Sequence, residues 1–169
     1  MAVAFRPAGP GDVEAVHALR RDFYREDGSP WAEGPAREAL RALLGAPALG
    51  RAWVAEDGGE AVGYVVLALG FSLEFHGRDA FVDELYVRPS HRRQGLGRAA
   101  LAAAEAASLA LGVRALHLEV DAGNEAAAAL YRRWGFAPHA RRLMTKWLAA
   151  EPDGPDRPDG PEAPRRREA

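Results

Sequence analysis

The stretch VRPSHRRQGLGRAA, residues 87–100, decides how this chain is interpreted. Pro89 ends an apolar segment, and a charged loop, residues 88–94, leads to Gly95 and Gly97 at the start of an alanine-rich segment. The first turn of a helix leaves its backbone N–H groups unpaired and carries partial positive charge, so it attracts phosphate. Glycine lets an anion approach this backbone without a Cβ in the way. The stretch therefore predicts a phosphate-binding loop at the start of a helix.

Two other phosphate-binding motifs compete with this interpretation. A P-loop requires Gly-Lys-Ser/Thr after the loop, and the sequence lacks that tripeptide. The dinucleotide fingerprint G-x-G-x-x-A is matched from Gly95 to Ala100, and Glu119 or Asp121 lies at a suitable distance for a ribose contact. That fingerprint places its first glycine directly after a strand, whereas here the loop 88–94 intervenes. Nicotinamide binding is therefore the weaker alternative, and it is excluded if calorimetry detects no binding of NAD.

The apolar pattern places strands and helices around this loop. Strands are predicted at 2–6, 53–55, 62–69, 80–87, 113–120 and 141–148, and helices at 12–25, 35–44, 95–111 and 124–134. Residues 56–59 are typical of a hairpin turn, and residues 71–78 are interpreted as a polar-aromatic connection. The order β-α-α-β-β-β-α-β-α-β predicts a single α/β (α+β) domain, with a mixed central sheet and helices on both faces.

Length and composition restrict the class of protein. The 169 residues suit one domain, and 48% hydrophobic with 27% charged residues is ordinary for a soluble globular protein. No apolar run approaches the ~20 residues that span a bilayer, so we expect no membrane association and a cytoplasmic location. The sequence has no cysteine, and its histidines lack metal-ligand spacing, so no thiol nucleophile and no metal are expected. The net charge of −2 argues against nucleic acid as a partner.

Residues 151–169 differ in composition from the rest of the chain. They hold five of the 12 prolines among Asp, Glu, Gly and Arg, without one Leu, Ile, Val or Phe. Such a segment cannot bury enough apolar surface to offset its ordering entropy. We therefore expect a folded domain over residues 1–150 and a disordered Pro/Arg-rich tail over residues 151–169.

Two blocks of the sequence resemble a known family. The run DELYVRP (83–89), followed by HRRQGLG (91–97), is similar to the acyl-CoA-binding core of the GNAT superfamily of N-acetyltransferases. Its signature Gln/Arg-x-x-Gly-x-Gly/Ala is satisfied from Arg92 to Gly97. Asn124 with LYRRWGF (130–136) resembles the later helix of the family. Over residues 2–149 the resemblance implies a GNAT-like fold, in which the strands before and after the loop's helix splay apart and acetyl-CoA lies between them.

The resemblance also implies which residues hold acetyl-CoA. Backbone groups of Leu85, Tyr86 and Val87 are expected to pair with the pantetheine arm, and the Leu85 N–H to donate to the thioester oxygen. The pyrophosphate is expected to contact the loop and the first helical turn. These residues are Arg92, Arg93, Gln94, Gly95, Leu96, Gly97, Arg98 and Ala99.

The second block contributes two further residues. Asn124 matches a family residue that contacts the cofactor, and it is equally suited to cap its helix; one residue can do both. Tyr131 lies almost two helical turns later, on the same helix face. It matches the family's tyrosine that protonates the departing thiolate. A phenol with a pKa near 10 is a reasonable acid for a thiolate with a pKa of about 8–9.

The remaining candidates are acids and a histidine near the strand that precedes the loop. Asp83 and Glu84 are both candidates for the base that removes a proton from the attacking amine, and the assignment between them stays open. Strand alternation sends them to opposite faces unless a bulge intervenes. Glu74, His76 and Asp79 are candidates for the acceptor pocket. Since most of these groups are acidic, they favour a cationic acceptor.

The function that follows from the resemblance is acetyl transfer from acetyl-CoA to a primary amine. The acceptor is expected to be a small cationic molecule or a protein amine, attacked directly in a ternary complex, and the sequence is compatible with a homodimer. The alternative is a non-catalytic acyl-CoA-binding module that regulates a partner. Retention of Tyr131 and the acidic pair argues against that alternative, and thiol release measured with a panel of amines distinguishes the two.

Overall fold

The computed structural model of the chain describes residues 3–121, 123–146 and 148. Within these residues a five-stranded sheet has the order β1-β2-β3-β4-β5, and four α-helices surround it. The strands are β1 (Phe5–Pro7), β2 (Gly50–Asp57), β3 (Glu60–Ser72), β4 (Gly77–Val87) and β5 (Ala115–Leu118). The helices are α1 (Val13–Asp27), α2 (Glu33–Gly45), α3 (Leu96–Ala110) and α4 (Glu125–Arg133).

Helices cover both faces of the sheet. On one face, Val16 and Leu19 of α1 are fully buried against Tyr64 of β3. On the other face, Ala100 and Ala104 of α3 are buried in a separate apolar cluster. The strand members of that second cluster are Trp53, Val65, Leu67, Ala80 and Val82. Neighbouring residues of β3 thus enter different cores, as strand alternation requires. The mixed α/β domain expected from the sequence is confirmed.

Two hairpins build the centre of the sheet. Gly58 and Gly59 both have positive φ, +58° and +86°, so the turn between β2 and β3 has the backbone twist that suits a two-residue hairpin loop. The interpretation of residues 71–78 as a connection is wrong for half of its length, because only residues 73–76 form the turn. β3 continues to Ser72, which pairs with Gly77 at the start of β4. This end of the hairpin extends beyond the core, so its side chains carry little of the apolar alternation that marks a strand.

The strands β4 and β5 run parallel for only part of their length. Pairing extends from Asp79 with Ala115 to Val82 with Leu118, and α3 forms the crossover between the two strands. β4 then continues through residues 83–87 without β5 beside it. The predicted strand 113–120 is therefore shorter in the structure. The two strands separate after Val82, which leaves a gap where the resemblance implies splayed strands.

The segment after α4 differs from the prediction. Residues 141–146 and 148 were expected to form a strand, but they are exposed and have no strand conformation. Arg141 instead reaches the turn between β3 and β4, where it donates to both carboxylate oxygens of Glu74 at 2.6 and 2.9 Å. The predicted disordered tail, residues 151–169, lies outside the described residues.

Candidate active site

A bulge in β4 determines where the two candidate bases lie. Val66 pairs with Glu84 and Leu67 pairs with Val82, so Asp83 is an extra residue opposite no partner. The extra residue inverts the alternation of the strand. Val82 packs on the α3 side of the sheet, whereas Glu84 faces α1. Strand alternation would send Asp83 and Glu84 to opposite faces of the sheet unless a bulge intervened. The bulge is present, and both acids line one cleft.

Glu84 is buried within a polar cluster, with 8% of its side chain exposed. Arg20 donates to both carboxylate oxygens of Glu84 at 2.7 Å. The hydroxyls of Tyr64 and Tyr24 donate to the same carboxylate at 2.9 and 3.1 Å. Arg20 also donates to the carbonyl of Ala36 in α2 at 2.8 Å. The Glu84 carboxylate thus accepts four hydrogen bonds, which is about the capacity of its two oxygens.

Asp83 has very different surroundings. Asp83 is exposed to solvent, and no described residue donates a hydrogen bond to its carboxylate. Burial of the carboxyl among neighbouring atoms and the negative charge of Glu84 raise its pKa above the usual range for aspartate. A carboxylate with free lone pairs and a raised pKa accepts a proton more readily than an ordinary aspartate does.

The cleft beside these acids has a volume of about 230 Å³. Its lining combines aromatic and polar side chains from α1 and β4: Phe23, Tyr24, Asp27, Ser29, Asp83 and Glu84. No lysine or arginine occurs among these lining residues. Burial and the charge of Glu84 raise the pKa of Tyr24 to about 12, so its hydroxyl stays protonated at neutral pH. The cleft therefore presents carboxylates and a neutral aromatic wall.

Three residues of this cluster, Arg20, Tyr24 and Tyr64, were not among the candidates predicted from the sequence. His17, Arg20, Tyr24 and Asp27 recur at intervals of three and four, so they form one stripe along α1. His17 is buried, and its Nε2 lies 2.9 Å from a Glu33 carboxylate oxygen. A polar stripe on the buried side of a helix was the available signal. The tyrosine of β3 gave no such signal, because an aromatic residue in a strand is ordinary.

The exposed edge of β4 presents backbone groups to the gap beside β5. The Arg88 N–H donates to the carbonyl of Val62 at 2.9 Å, which makes these two residues a hydrogen-bonded pair of the antiparallel ladder. Such pairs alternate along the strands. The backbone groups of Tyr86 therefore point toward β3, and those of Leu85 and Val87 point away from it. Of the three residues expected to meet pantetheine, Leu85 and Val87 have backbone groups facing the gap.

The glycine loop has the backbone geometry of an anion site. Arg93 and Gly95 both have positive φ, +64° and +86°, on either side of Gln94. In the described part of the chain, no backbone carbonyl accepts from the amides of residues 93–98. Successive unpaired amides in such a turn, leading into α3, make a concave site for phosphate oxygens. This geometry fits the pyrophosphate of acetyl-CoA.

The arginines of the loop do not all have the same surroundings. Arg92 donates to the carbonyl of Val87 at 2.8 Å and forms an ion pair with Glu26 of α1 at 2.6 Å. This guanidinium holds the pKa of Glu26 below its usual range. Arg93 and Arg98 are exposed, and neither forms an ion pair with a described residue. These two side chains are therefore available to pair with an anion, whereas Arg92 connects the loop to α1.

Gly97 brings the two sequence blocks together. A Cβ at this position would lie 3.1 Å from Cδ2 of Leu130, which is a close contact. The absence of a side chain thus lets α4 lie against the first turn of α3. A substitution at Gly97 would disturb this packing as well as a bound anion. Gly95 has open space around its Cα, so it is the better position for testing the loop.

The helix α4 presents the last two candidates. The Oδ1 of Asn124 accepts from the backbone N–H of Ala127 at 3.1 Å, so this residue caps the helix while its amide nitrogen remains available. Tyr131 is half-buried, and burial raises the pKa of its phenol above the usual value. Its hydroxyl has no hydrogen-bond partner among the residues the structure describes. The phenol therefore stays protonated at neutral pH and is free to donate.

The other candidates for the acceptor pocket lie elsewhere. Glu74 and His76 belong to the turn between β3 and β4, at the opposite end of β4 from the glycine loop. Asp79 is at the start of β4, with a carboxylate oxygen 3.7 Å from His117 Nε2. These three side chains do not line the cleft of Asp83 and Glu84.

Comparison with known proteins identifies the family. The model of the acetyltransferase (GNAT) family matches residues 13–136. The chain belongs to this family. An L-methionine sulfoximine/L-methionine sulfone acetyltransferase from Pseudomonas paraeruginosa is 31% identical over 162 residues, which cover 88% of this chain and 91% of that protein. This GNAT domain is therefore an acetyl-CoA-dependent N-acetyltransferase.

Solved structures agree with this assignment. An integron cassette protein from the mobile metagenome of Cole Harbour Salt Marsh is 42% identical, with a TM-score of 0.77 over 86% of this chain and 91% of that one. An aminoglycoside N-acetyltransferase crystallised in complex with CoA shares the fold, with a TM-score of 0.75 at 16% identity over 88% of this chain and 96% of that one. The second likeness shows the fold alone, and acetyl-CoA as the cosubstrate follows from the family match.

Over residues 3–121, 123–146 and 148, no group of three or more His, Cys, Asp or Glu side chains is arranged to hold a metal ion. None of the helices in the same ranges combines the length and apolar character needed to cross a membrane.

Proposed function

We propose that this GNAT enzyme transfers the acetyl group of acetyl-CoA to a primary amine of a small cationic molecule. The observation that carries the proposal is the charge of the cleft beside the β4 bulge. Asp27, Asp83 and Glu84 line it, and the nearby Arg20 is neutralised by Glu84. A ligand with a second positive charge would be attracted to this cleft, whereas a carboxylate would be repelled.

Acetyl-CoA is proposed to lie across the edge of β4 and the start of α3. The unpaired amides of residues 93–98 would hold its pyrophosphate, with Arg93 and Arg98 adding charge. The backbone groups of Leu85 and Val87 would pair with the pantetheine arm as an added strand does. The free amide nitrogen of Asn124 is a further candidate contact. This placement directs the thioester toward the bulge.

The proposed chemistry is a direct attack in a ternary complex. Asp83 accepts a proton from the acceptor ammonium, directly or through a water molecule, and the neutral amine attacks the thioester carbon. The Leu85 N–H donates to the oxygen as negative charge develops there. The new C–N bond forms, the C–S bond breaks, and Tyr131 gives its proton to the departing sulfur. The second proton of the amine leaves through solvent, which reprotonates Tyr131.

Asp83 is preferred over Glu84 as the base because of their different contacts. Glu84 accepts hydrogen bonds from three side chains, so it has little capacity left to receive a proton from a substrate. Asp83 has no such partner among the described residues, and its pKa is raised above the ordinary aspartate value. Geometry and proton affinity therefore favour the same residue.

Thiol release measured with a panel of amines tests the proposal. The panel contains a short diamine, a monoamine of the same length and L-methionine sulfone, which adds a carboxylate. We expect the diamine to have the highest kcat/KM, and Asp27→Asn to reduce the preference for diamine over monoamine. The exposed Glu38→Gln variant on α2 is the control for removing one negative charge. A preference for the carboxylate-bearing amine would refute the cationic acceptor.

The same assay addresses the alternative of a non-catalytic regulatory module. CoA binding detected by calorimetry, together with no thiol release for any amine in the panel, would favour that alternative.

A further inference from the structure

We propose that Glu84 is a positioning residue: held by Arg20, Tyr24 and Tyr64, it fixes the β4 bulge that presents Asp83 to the cleft. This inference rests on the proposed function, in which Asp83 is the base. It assigns to the second acid of the pair a role that is different from proton transfer. It also assigns a role to Arg20, which the proposed chemistry leaves unused.

The first argument is that this ion pair has no obvious value for stability. Burying two charges costs free energy that their attraction repays only with good geometry, and apolar side chains often serve as well. The next residue of β4 on the same face is Tyr86, which is buried in the apolar cluster against α1, so an apolar residue would suit this face of the strand. The side chains of Arg20 and Glu84 are nonetheless largely buried, with 12% and 8% of their surface exposed. A buried pair at this position therefore calls for a local explanation.

The second argument is the location of the pair. Glu84 directly follows the bulged residue, and its carboxylate is bound from two elements: α1 through Arg20 and Tyr24, and β3 through Tyr64. Through its bond to Ala36, the guanidinium of Arg20 also reaches α2. With Glu84 held from several sides, the strand cannot slip by one residue without breaking these bonds. The orientation of Asp83 and the direction of the Leu85 N–H are fixed by the same register.

The third argument is electrostatic. The groups that act on Asp83 are Glu84 beside it, Arg20 of α1 and Glu119 just after β5, with Asp27 and Tyr24 across the cleft. Burial is the largest cause of the raised pKa of Asp83, followed by the charge of Glu84; Arg20 acts in the opposite direction. Removing the charge of Glu84 while Arg20 remains should therefore lower the pKa of Asp83.

The test is Glu84→Gln, which keeps the side-chain shape. We expect kcat to fall by up to about 100-fold, as a misplaced catalytic group allows, with the KM for acetyl-CoA unchanged. The acidic limb of the pH–rate profile should move to lower pH. Arg20→Gln combined with Glu84→Gln should move that limb back up, because the unpaired positive charge is gone. Glu38→Gln, an exposed acid on α2, should change neither quantity.

Carboxyl NMR titration of Asp83 in the protein without substrate gives a second readout that does not depend on activity. A lower pKa of Asp83 in Glu84→Gln supports the inference even if Asp83→Asn retains full activity, which would refute only the proposed base. An unchanged kcat and an unchanged titration in a folded Glu84→Gln variant would overturn the inference. If Glu84→Gln does not fold, Tyr64→Phe is the substitute, because it removes one hydrogen bond to Glu84 and keeps the charge of that carboxylate. A lowered kcat of Tyr64→Phe at constant KM for acetyl-CoA supports the inference. An unchanged kcat of this variant overturns the inference.

Discussion

Replacement of Tyr131 by phenylalanine tests the proposed acid with little structural disturbance. The hydroxyl has no hydrogen-bond partner among the described residues, so its removal leaves no buried group unpaired. The ring contact to Phe136, with centroids 6.0 Å apart, does not involve the hydroxyl and is kept. The free energy of unfolding should therefore change by less than about 1 kcal/mol.

The effect on catalysis should be much larger than the effect on stability. A positioned general acid contributes about 10²–10⁴-fold to the rate, which corresponds to about 3–5 kcal/mol of activation free energy. In the wild type, burial raises the pKa of Tyr131, so the phenol stays protonated through the neutral range and is lost as an acid only above the ordinary tyrosine value near 10. The variant should lose this alkaline limb.

The assay is thiol release under saturating amine, recorded across pH, with thermal unfolding measured in parallel. We expect kcat of Tyr131→Phe to fall at least about 100-fold while the KM for acetyl-CoA changes little. Arg133→Gln, an exposed change on the same helix, should have wild-type kcat. A variant with wild-type kcat at every pH would remove Tyr131 from the mechanism. A drop in kcat that is matched by a lower melting temperature would instead indicate damage to α4.

Four further substitutions separate the parts of the site. Gly95→Ala places a Cβ in open space, so it causes no steric clash. It forces an L-residue to adopt φ +86°, which costs about 1–2 kcal/mol and disfavours this conformation of the loop. Calorimetry should therefore show weaker CoA binding. Arg98→Gln should weaken CoA binding and make the affinity for CoA less dependent on salt concentration. Arg92→Gln should chiefly lower the melting temperature, because this substitution leaves Glu26 without its ion-pair partner. Asp83→Asn should lower kcat by about 100-fold or more and abolish the acidic limb of the pH–rate profile; a retained limb would exclude Asp83 as the titrating base.

The local parts of the site could be predicted from the sequence. The glycine loop and its helix are signalled within a dozen residues, since the special backbone positions and the helix start are determined by neighbours in the chain. The cap at Asn124 has the same local character, and the structure shows its hydrogen bond to Ala127. These features depend on short-range backbone geometry, which a single sequence encodes directly.

The bulge and its polar cluster could not be predicted in the same way. An extra residue in one strand changes the face of every later side chain, yet the amino-acid order looks the same with or without it. Arg20 and Glu84 are 64 positions apart, and Tyr64 comes from a third element. Their contact depends on how α1 lies on the sheet. For the same reason the sequence placed Glu74 and Asp79 near the acceptor, although they belong to the other end of β4.

The helix α1 connects the two halves of the proposed reaction. Its Tyr24 and Asp27 line the acceptor cleft, and its Glu26 binds Arg92 in the loop proposed to hold acetyl-CoA. Arg92 in turn binds the carbonyl of Val87, at the end of the strand edge that faces the gap. A shift of α1 on binding an acceptor would therefore reach the glycine loop through one ion pair. In the proposed site the arginine-rich loop would therefore do more than supply positive charge to a phosphate, because Arg92 connects the proposed cofactor side to the helix that lines the proposed acceptor cleft.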